Sequence, residues 1–245
     1  MDITSNPVNA SGRLQVLHSL PLLFDGTHER AMALMIGFKG RLMTELQTVL
    51  NLDGYTDLPS GKIAAVVTYL EMRSPPPALH AEVQTGWSLQ SLNADRDRYR
   101  TLYRRIGEPW LWFSRVVMSD GELAGILDDP KVEAYTLHDG KDDIGLLELD
   151  FRPEGEVELA FLGVVPGVIG KGAGRFLMSE AIRRAFAQPI DRFFVHTCSL
   201  DHPAALTFYM RSGFTPYRRA IEVADDPRLR GFLPQDCAPQ VPVLG

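Results

Sequence analysis

One stretch constrains the fold more than any other. From Glu156 to Gly174, EVELAFLGVVPGVIGKGAG, a strand must end at Pro166-Gly167 and a glycine-rich loop must open a helix. Residues 156 to 165 alternate with the period of a strand, which assigns Val157, Leu159 and Phe161 to one face and Glu158, Ala160 and Leu162 to the other. Gly170, Gly172 and Gly174 flank Lys171 and Ala173, so side-chain bulk is nearly absent where successive backbone N–H groups can converge on an anion. The predicted helix, Lys171 to Ala187, turns Met178, Ala181, Ile182, Ala185 and Phe186 inward and Arg175, Ser179, Arg183 and Arg184 outward, and its dipole presents a positive end to the loop. The next strand, Asp191 to Cys198, follows a single helical crossover and is therefore expected to run parallel to the first. Parallel neighbours that diverge at their C-terminal ends open a crevice for a ligand.

Two commoner glycine motifs do not fit. The Walker pattern needs Ser or Thr after Gly-Lys, and Lys171 is followed by Gly172; the dinucleotide fingerprint needs a small residue where Arg175 stands. The stretch instead resembles motif A of the GNAT superfamily of acyl-CoA N-acyltransferases, V-x-P-x-x-[QR]-G-x-G-x-[GA], with Val164, Pro166, Gly170, Gly172 and Gly174 on its fixed positions and Ile169 where the family has Gln or Arg. Downstream, Leu200 to Phe214 forms a short predicted helix with Pro203 at its first turn and Gly213 just past its end. It resembles GNAT motif B, N-x-x-A-x-x-[LF]-Y-x-x-x-G-F, at Ala205, Phe208, Tyr209, Gly213 and Phe214, with His202 in place of the Asn. The two motifs stand in the family's order, one helix and one strand apart, and the resemblance covers about residues 62 to 223.

The resemblance implies an α/β (α+β) GNAT fold, a central mixed twisted sheet of about six to seven strands flanked by helices. The expected organisation is a partly helical N-terminal extension over 1–60, the acetyltransferase domain over 61–224 and an irregular C-terminal tail over 225–245 packing on it. The implied co-substrate is acetyl-CoA, held by the backbone of Leu162, Gly163 and Val164, by the loop Ile169, Gly170, Lys171, Gly172, Ala173, Gly174 and Arg175, and by His202 and Ala205. Tyr209 is the implied acid for the leaving thiolate and Glu158 the implied base, with Glu156 and His196 in reserve. Trp110, Trp112 and Arg115, from the most aromatic stretch of the chain, and His196 are the acceptor-pocket candidates. The implied acceptor is a primary amine of a small molecule or a protein.

Composition narrows the function classes. A formal charge of −6 and a pI near 5.5 argue against a general nucleic-acid binder and mildly favour a cationic amine. Cys198 and Cys237 are too few for a disulfide framework and no Cys/His spacing matches a zinc site, so no metal is expected. The start Met1-Asp2 has no basic region and the longest early apolar run, Ala31 to Phe38, is far short of a bilayer span; a cytoplasmic protein without a membrane partner is expected. A methionine-bearing apolar series between Met32 and Leu50 reads as a packing or homodimer-contact surface. Further predictions are a first strand over 62–73, a solvated helix starting at Asn93, a capped helix at Ser119, strands over 131–138 and 143–151 joined by an Asp-Gly turn, and a last strand over 215–223. Two alternatives to catalysis stand beside this reading: an acyl-CoA sensor without turnover, motivated by Ile169 and His202, and a structural domain assembled by residues 1–60.

Overall fold

A computed structural model describes residues 50–77 and 86–245; the extension expected within 1–60 lies, up to residue 49, outside the described residues. The compact unit that carries the predicted motifs runs from Leu58 to Gly245. Its elements are β1 (Lys62–Met72), β2 (Ser88–Ser91), α1 (Arg96–Gly107), α2 (Ser114–Val117), α3 (Asp120–Leu127), β3 (Val132–His138), β4 (Asp143–Asp150), β5 (Glu156–Val164), α4 (Ala173–Ala185), β6 (Arg192–Cys198), α5 (Ala205–Arg211) and β7 (Thr215–Asp225). They build one mixed seven-stranded sheet in the order β2-β3-β4-β5-β6-β1-β7, in which only β5 and β6 run parallel. The first strand of the chain therefore lies between β6 and the edge strand β7.

Helices cover the two faces differently. On one face α4 lies so close that a Cβ at Gly145 would meet Leu177 at 2.8 Å; on the other α1 and the segment after it crowd Gly163, where a Cβ would meet Ile106 at 2.4 Å and Trp112 at 3.0 Å. Strand β4 is the centre of this sandwich: Leu146 and Leu147 point to opposite faces and both are buried. Burial of Tyr99, Leu102, Tyr103 and Ile106 makes α1 amphipathic rather than merely solvated.

Local chemistry explains the boundaries, with two corrections. The cap of α1 is Asp95, whose carboxylate accepts from Arg98 N at 3.0 Å; Asn93 instead staples the sheet, accepting from Ala134 N and donating to the carbonyls of Leu127 and Val132. Ser119 and Glu122 form the expected capping box of α3. The second correction concerns β5. Leu149 pairs with Leu159 but Glu148 pairs with Phe161, so Ala160 is an extra residue, a β-bulge. Beyond it every side chain changes face: Leu162 and Val164 join Val157 and Leu159 on the α4 side, and Phe161 joins Glu158 on the α1 side, against the uninterrupted alternation expected from sequence. The short strand β2 begins just after Trp87.

The tail, 226–245, contains neither helix nor strand. Its organiser is Arg228, a fully buried guanidinium that pairs with Asp226 at 2.7 Å and donates to the carbonyls of Cys237, Ala238 and Val241. Leu233 and Ala238 pack on Ile63 and Leu111 in a second small core, and Gln240 donates to Pro109 O at 2.7 Å. Leu111 holds a left-handed backbone, φ 55°, which costs about 1–2 kcal/mol and is sustained by that packing.

Candidate active site

The site is made by a strand that leaves its neighbour. Parallel pairing between β5 and β6 spans only Glu156 to Glu158 on β5; Leu159 and, past the bulge, residues 161–164 pair with β4 alone, while β6 stays paired with β1 from Phe193 to Cys198. A bulge bends its strand and increases local twist, so the gap opens where the extra residue is inserted. Leu162, Gly163 and Val164 thus line it with backbone groups that no strand among the described residues satisfies on the β6 side.

At the end of the gap lies the glycine loop. Gly170 and Gly172 both adopt left-handed φ, 80° and 93°, and Gly172 is the residue before the first turn of α4. The first i→i−4 bond of α4 runs from Phe176 N to Gly172 O at 3.0 Å, so the amides of Ala173, Gly174 and Arg175 precede the helix ladder and point from its positive end. Ile169 is exposed, as are Lys171 and Arg175, while Ala173 is buried against the core. Gly174 brings this turn to the second helix of the site, with a Cβ there only 3.8 Å from Phe208 of α5. At the start of α5 the ring of His202 accepts from Ala204 N at 3.1 Å, the local turn contact an Asn side chain makes, and His202 O accepts from Ala205 N.

The candidate side chains sort by sheet face. Tyr209 packs with Phe208 and Phe214 on the α4 side, and its hydroxyl has no hydrogen-bond partner among the described residues. Burial, and secondarily the charge of Asp201, raise its pKa well above the usual phenol value, so it carries its proton at neutral pH. On the opposite face Glu158 sits 3.2 Å from His196 Nδ1. Burial pulls the His196 pKa down, but the hydrogen bond to Glu158 and its charge, aided by Asp201 and Glu222, more than offset this and leave it raised. Glu156 is engaged elsewhere, in an ion pair with Arg192 at 2.7 Å. Cys198 lies at the end of β6, and burial followed by the Asp201 charge pushes its thiol up to about 12, too high for a nucleophilic thiolate at neutral pH.

The aromatic segment closes the α1 side. Trp112 packs on Phe161 and Tyr103, at 5.3 and 5.5 Å between ring centroids, and its indole N–H reaches across to Asp201 at 2.9 Å. Trp110 meets the His202 ring edge-on at 5.0 Å. Arg115 does not join them at a surface: its guanidinium turns inward to the fully buried Glu148 at 2.7 Å, beneath the Phe161 ring.

A family model described as the Acetyltransferase (GNAT) family matches residues 90–214, just over half of the chain. The chain belongs to the GNAT acetyltransferase family. No curated protein matches it. Solved structures that resemble it include a functionally unknown conserved protein from Staphylococcus epidermidis (12% identity, covering 68% of this chain and 64% of that one, TM-score 0.47). Another is a GCN5-related N-acetyltransferase from Sphaerobacter thermophilus (18%, 66% and 51%, TM-score 0.48). A third is an aminoglycoside acetyltransferase from an uncultured soil metagenomic sample (16%, 58% and 96%, TM-score 0.45). The chain spans less than two thirds of the length of the first two.

The GNAT match ends at Phe214 and begins inside β2, so β1 and β7, which complete the sheet beside β6, lie outside it. Within it, the residue that sequence reasoning passed over is Asp201. Its carboxylate accepts from Trp112, from Thr197 Oγ1 at 2.7 Å and from Cys198 N at 2.8 Å, which ties both walls of the gap together. An Asp three residues past the end of a strand and directly before a His-Pro turn was the available signal. Among the described residues no group of His, Cys, Asp and Glu is arranged to hold a metal, and no helix is long and apolar enough to cross a membrane.

Proposed function

We propose that the chain is an acyl-CoA-dependent N-acetyltransferase that moves an acetyl group from acetyl-CoA to a primary amine of a small molecule or protein by direct attack in a ternary complex. The observation that carries this reading is the continuity of the site: the positive-φ glycine cradle at α4 opens into the gap between β5 and β6, with Tyr209 on one face and the Glu158–His196 pair on the other. Acetyl-CoA supplies an acyl group activated as a thioester. The amides at the start of α4 suit its pyrophosphate, because Gly170 and Gly172 need the backbone conformation that side chains disfavour and leave no bulk over the donors. The backbone of residues 162–164 that faces away from β4 suits an extended amide-bearing arm and an acyl carbonyl.

Proton movements follow the two faces. An amine approaching from the α1 side gives its proton to Glu158, with His196 as the half-exposed outlet to solvent. Tyr209 holds a proton on the opposite side for the departing sulfur. Trp112, anchored on Asp201, keeps water out of the gap. The raised thiol pKa of Cys198 favours direct transfer over an acyl-cysteine route.

The test is thiol release from acetyl-CoA with a panel of primary amines, for the wild type and Tyr209→Phe. Turnover by the wild type and a kcat on the order of 10²- to 10⁴-fold lower in the variant, with unchanged acetyl-CoA affinity, are expected. Acetyl-CoA binding with no thiol release from any amine would replace the enzyme with a sensor; equal kcat would remove Tyr209 as the acid.

A further inference from the structure

Strand β7 ends the sheet among the described residues, and it is long: eleven residues, nearly all exposed. Natural edges of that length are blunted by proline, bulges or charge, because their unpaired backbone groups otherwise recruit another strand. At its start β7 is blunted, by Pro216 and by a bulge that turns Tyr217 onto Tyr69 and Arg192. At its end Asp225 is held by Lys62 and Arg230. The middle, Arg218 to Ala224, has neither proline nor bulge, only charge. Its charged groups Arg218, Arg219 and Glu222 form no ion pair among the described residues, although Arg218 lies over the Tyr69 ring at 3.8 Å.

Those charges would repel most strands but select one. We infer that β7 pairs antiparallel with the β7 of a second copy of this chain, about a two-fold axis at Ala220, to give one continuous sheet through both copies. In that register Arg218 lies opposite Glu222 of the second copy, and Glu222 opposite its Arg218, two unlike pairs on the Glu158 face. The same-face rule allows only shifts that keep parity. An axis at Arg219 would set that arginine against itself, one at Glu222 would set two carboxylates together, and one at Ile221 would pair no charges.

The opposite face supports the same register. Val66 of β1, paired with Ile221, and Val223 beside them are 50%, 43% and 37% exposed, an apolar strip that runs to the edge. Ile221 would face the aliphatic stem of Arg219 from the second copy, with the charged head left in water.

Sedimentation velocity of the full chain over a concentration series tests this with Arg218→Glu, Glu222→Arg and the double swap. The wild type should run as a dimer of 27.3 kDa chains, either single reversal should weaken association by on the order of tenfold or more by opposing like charges, and the double swap should restore it. Glu222→Arg leaves the Arg218–Tyr69 contact in place, so its loss of association does not come from that contact; thermal melts confirm that each variant is folded. A wild type that stays monomeric, a dimer indifferent to the single reversals, or singles that the double swap does not rescue would each overturn the inference.

Discussion

Arg115 offers the sharpest separation of scaffold from site. The family resemblance makes it an acceptor-pocket candidate, yet its side chain is only 11% exposed and pairs with Glu148, which has no exposure at all. Glu148 has two partners, Arg115 and the Tyr99 hydroxyl. Removing the guanidinium by Arg115→Met strands a buried carboxylate on one hydroxyl, a loss of about 3–5 kcal/mol and a large share of the roughly 5–15 kcal/mol that stabilises a domain. Replacing both groups, Arg115→Met with Glu148→Met, removes both charges and leaves only the Tyr99 hydroxyl unpartnered, at about 1–3 kcal/mol. The double variant should therefore be more stable than Arg115→Met alone, a non-additivity that urea denaturation followed by tryptophan fluorescence reads directly. A single variant that loses less than about 1 kcal/mol while its KM for the amine rises would refute the burial argument and return Arg115 to the substrate.

Two further outcomes follow from the site. Gly172→Val forces a β-branched residue to φ 93° in the cradle and should abolish acetyl-CoA binding by calorimetry while the far-ultraviolet circular dichroism survives; unchanged affinity would remove the cradle from the site. Glu158→Gln removes the hydrogen-bonding charge that raises the His196 pKa, so the imidazole should titrate at lower pH by NMR, burial now pulling it down unopposed by that carboxylate; an unmoved titration would contradict the pairing. The sign for stability is that of a raised histidine: the Glu158–His196 contribution is fully present below the unfolded pKa and is lost as pH rises through the folded one.

How much of this was legible in the sequence depends on whether the signal was local. The strand-loop-helix at Glu156 to Gly174, the capping box at Ser119 and the helix at Ala205 are written in adjacent residues, where glycine conformation, cap chemistry and periodicity act within a few positions. The bulge at Ala160 is not, because nothing in ELAFLG marks which residue is extra; the register of β4 decides it, and with it the face of Phe161. Asn93 carries an N-cap residue type, yet three backbone partners some 34 to 41 residues away claim its side chain and leave the cap to Asp95. Arg228, in a proline-rich tail, looks solvated until the carbonyls of 237, 238 and 241 are folded around it.

The position of β1 completes the argument for the gap. A strand that loses one neighbour can follow it or stay, and β6 stays because β1 holds its other edge over six consecutive residues, from Phe193 to Cys198. Without that support the bulge in β5 could bend the whole sheet edge; with it, the bend is confined to β5 and becomes a cleft. The tail adds the third wall: buried Arg228 holds the segment from Cys237 to Val241, that segment holds Pro109 and Leu111, and Leu111 in its left-handed conformation turns the chain so that Trp112 reaches Asp201. Residues outside the family-matched segment, β1 in front of it and the tail behind it, thus set the width and the cover of a candidate site whose proposed chemical groups lie inside it.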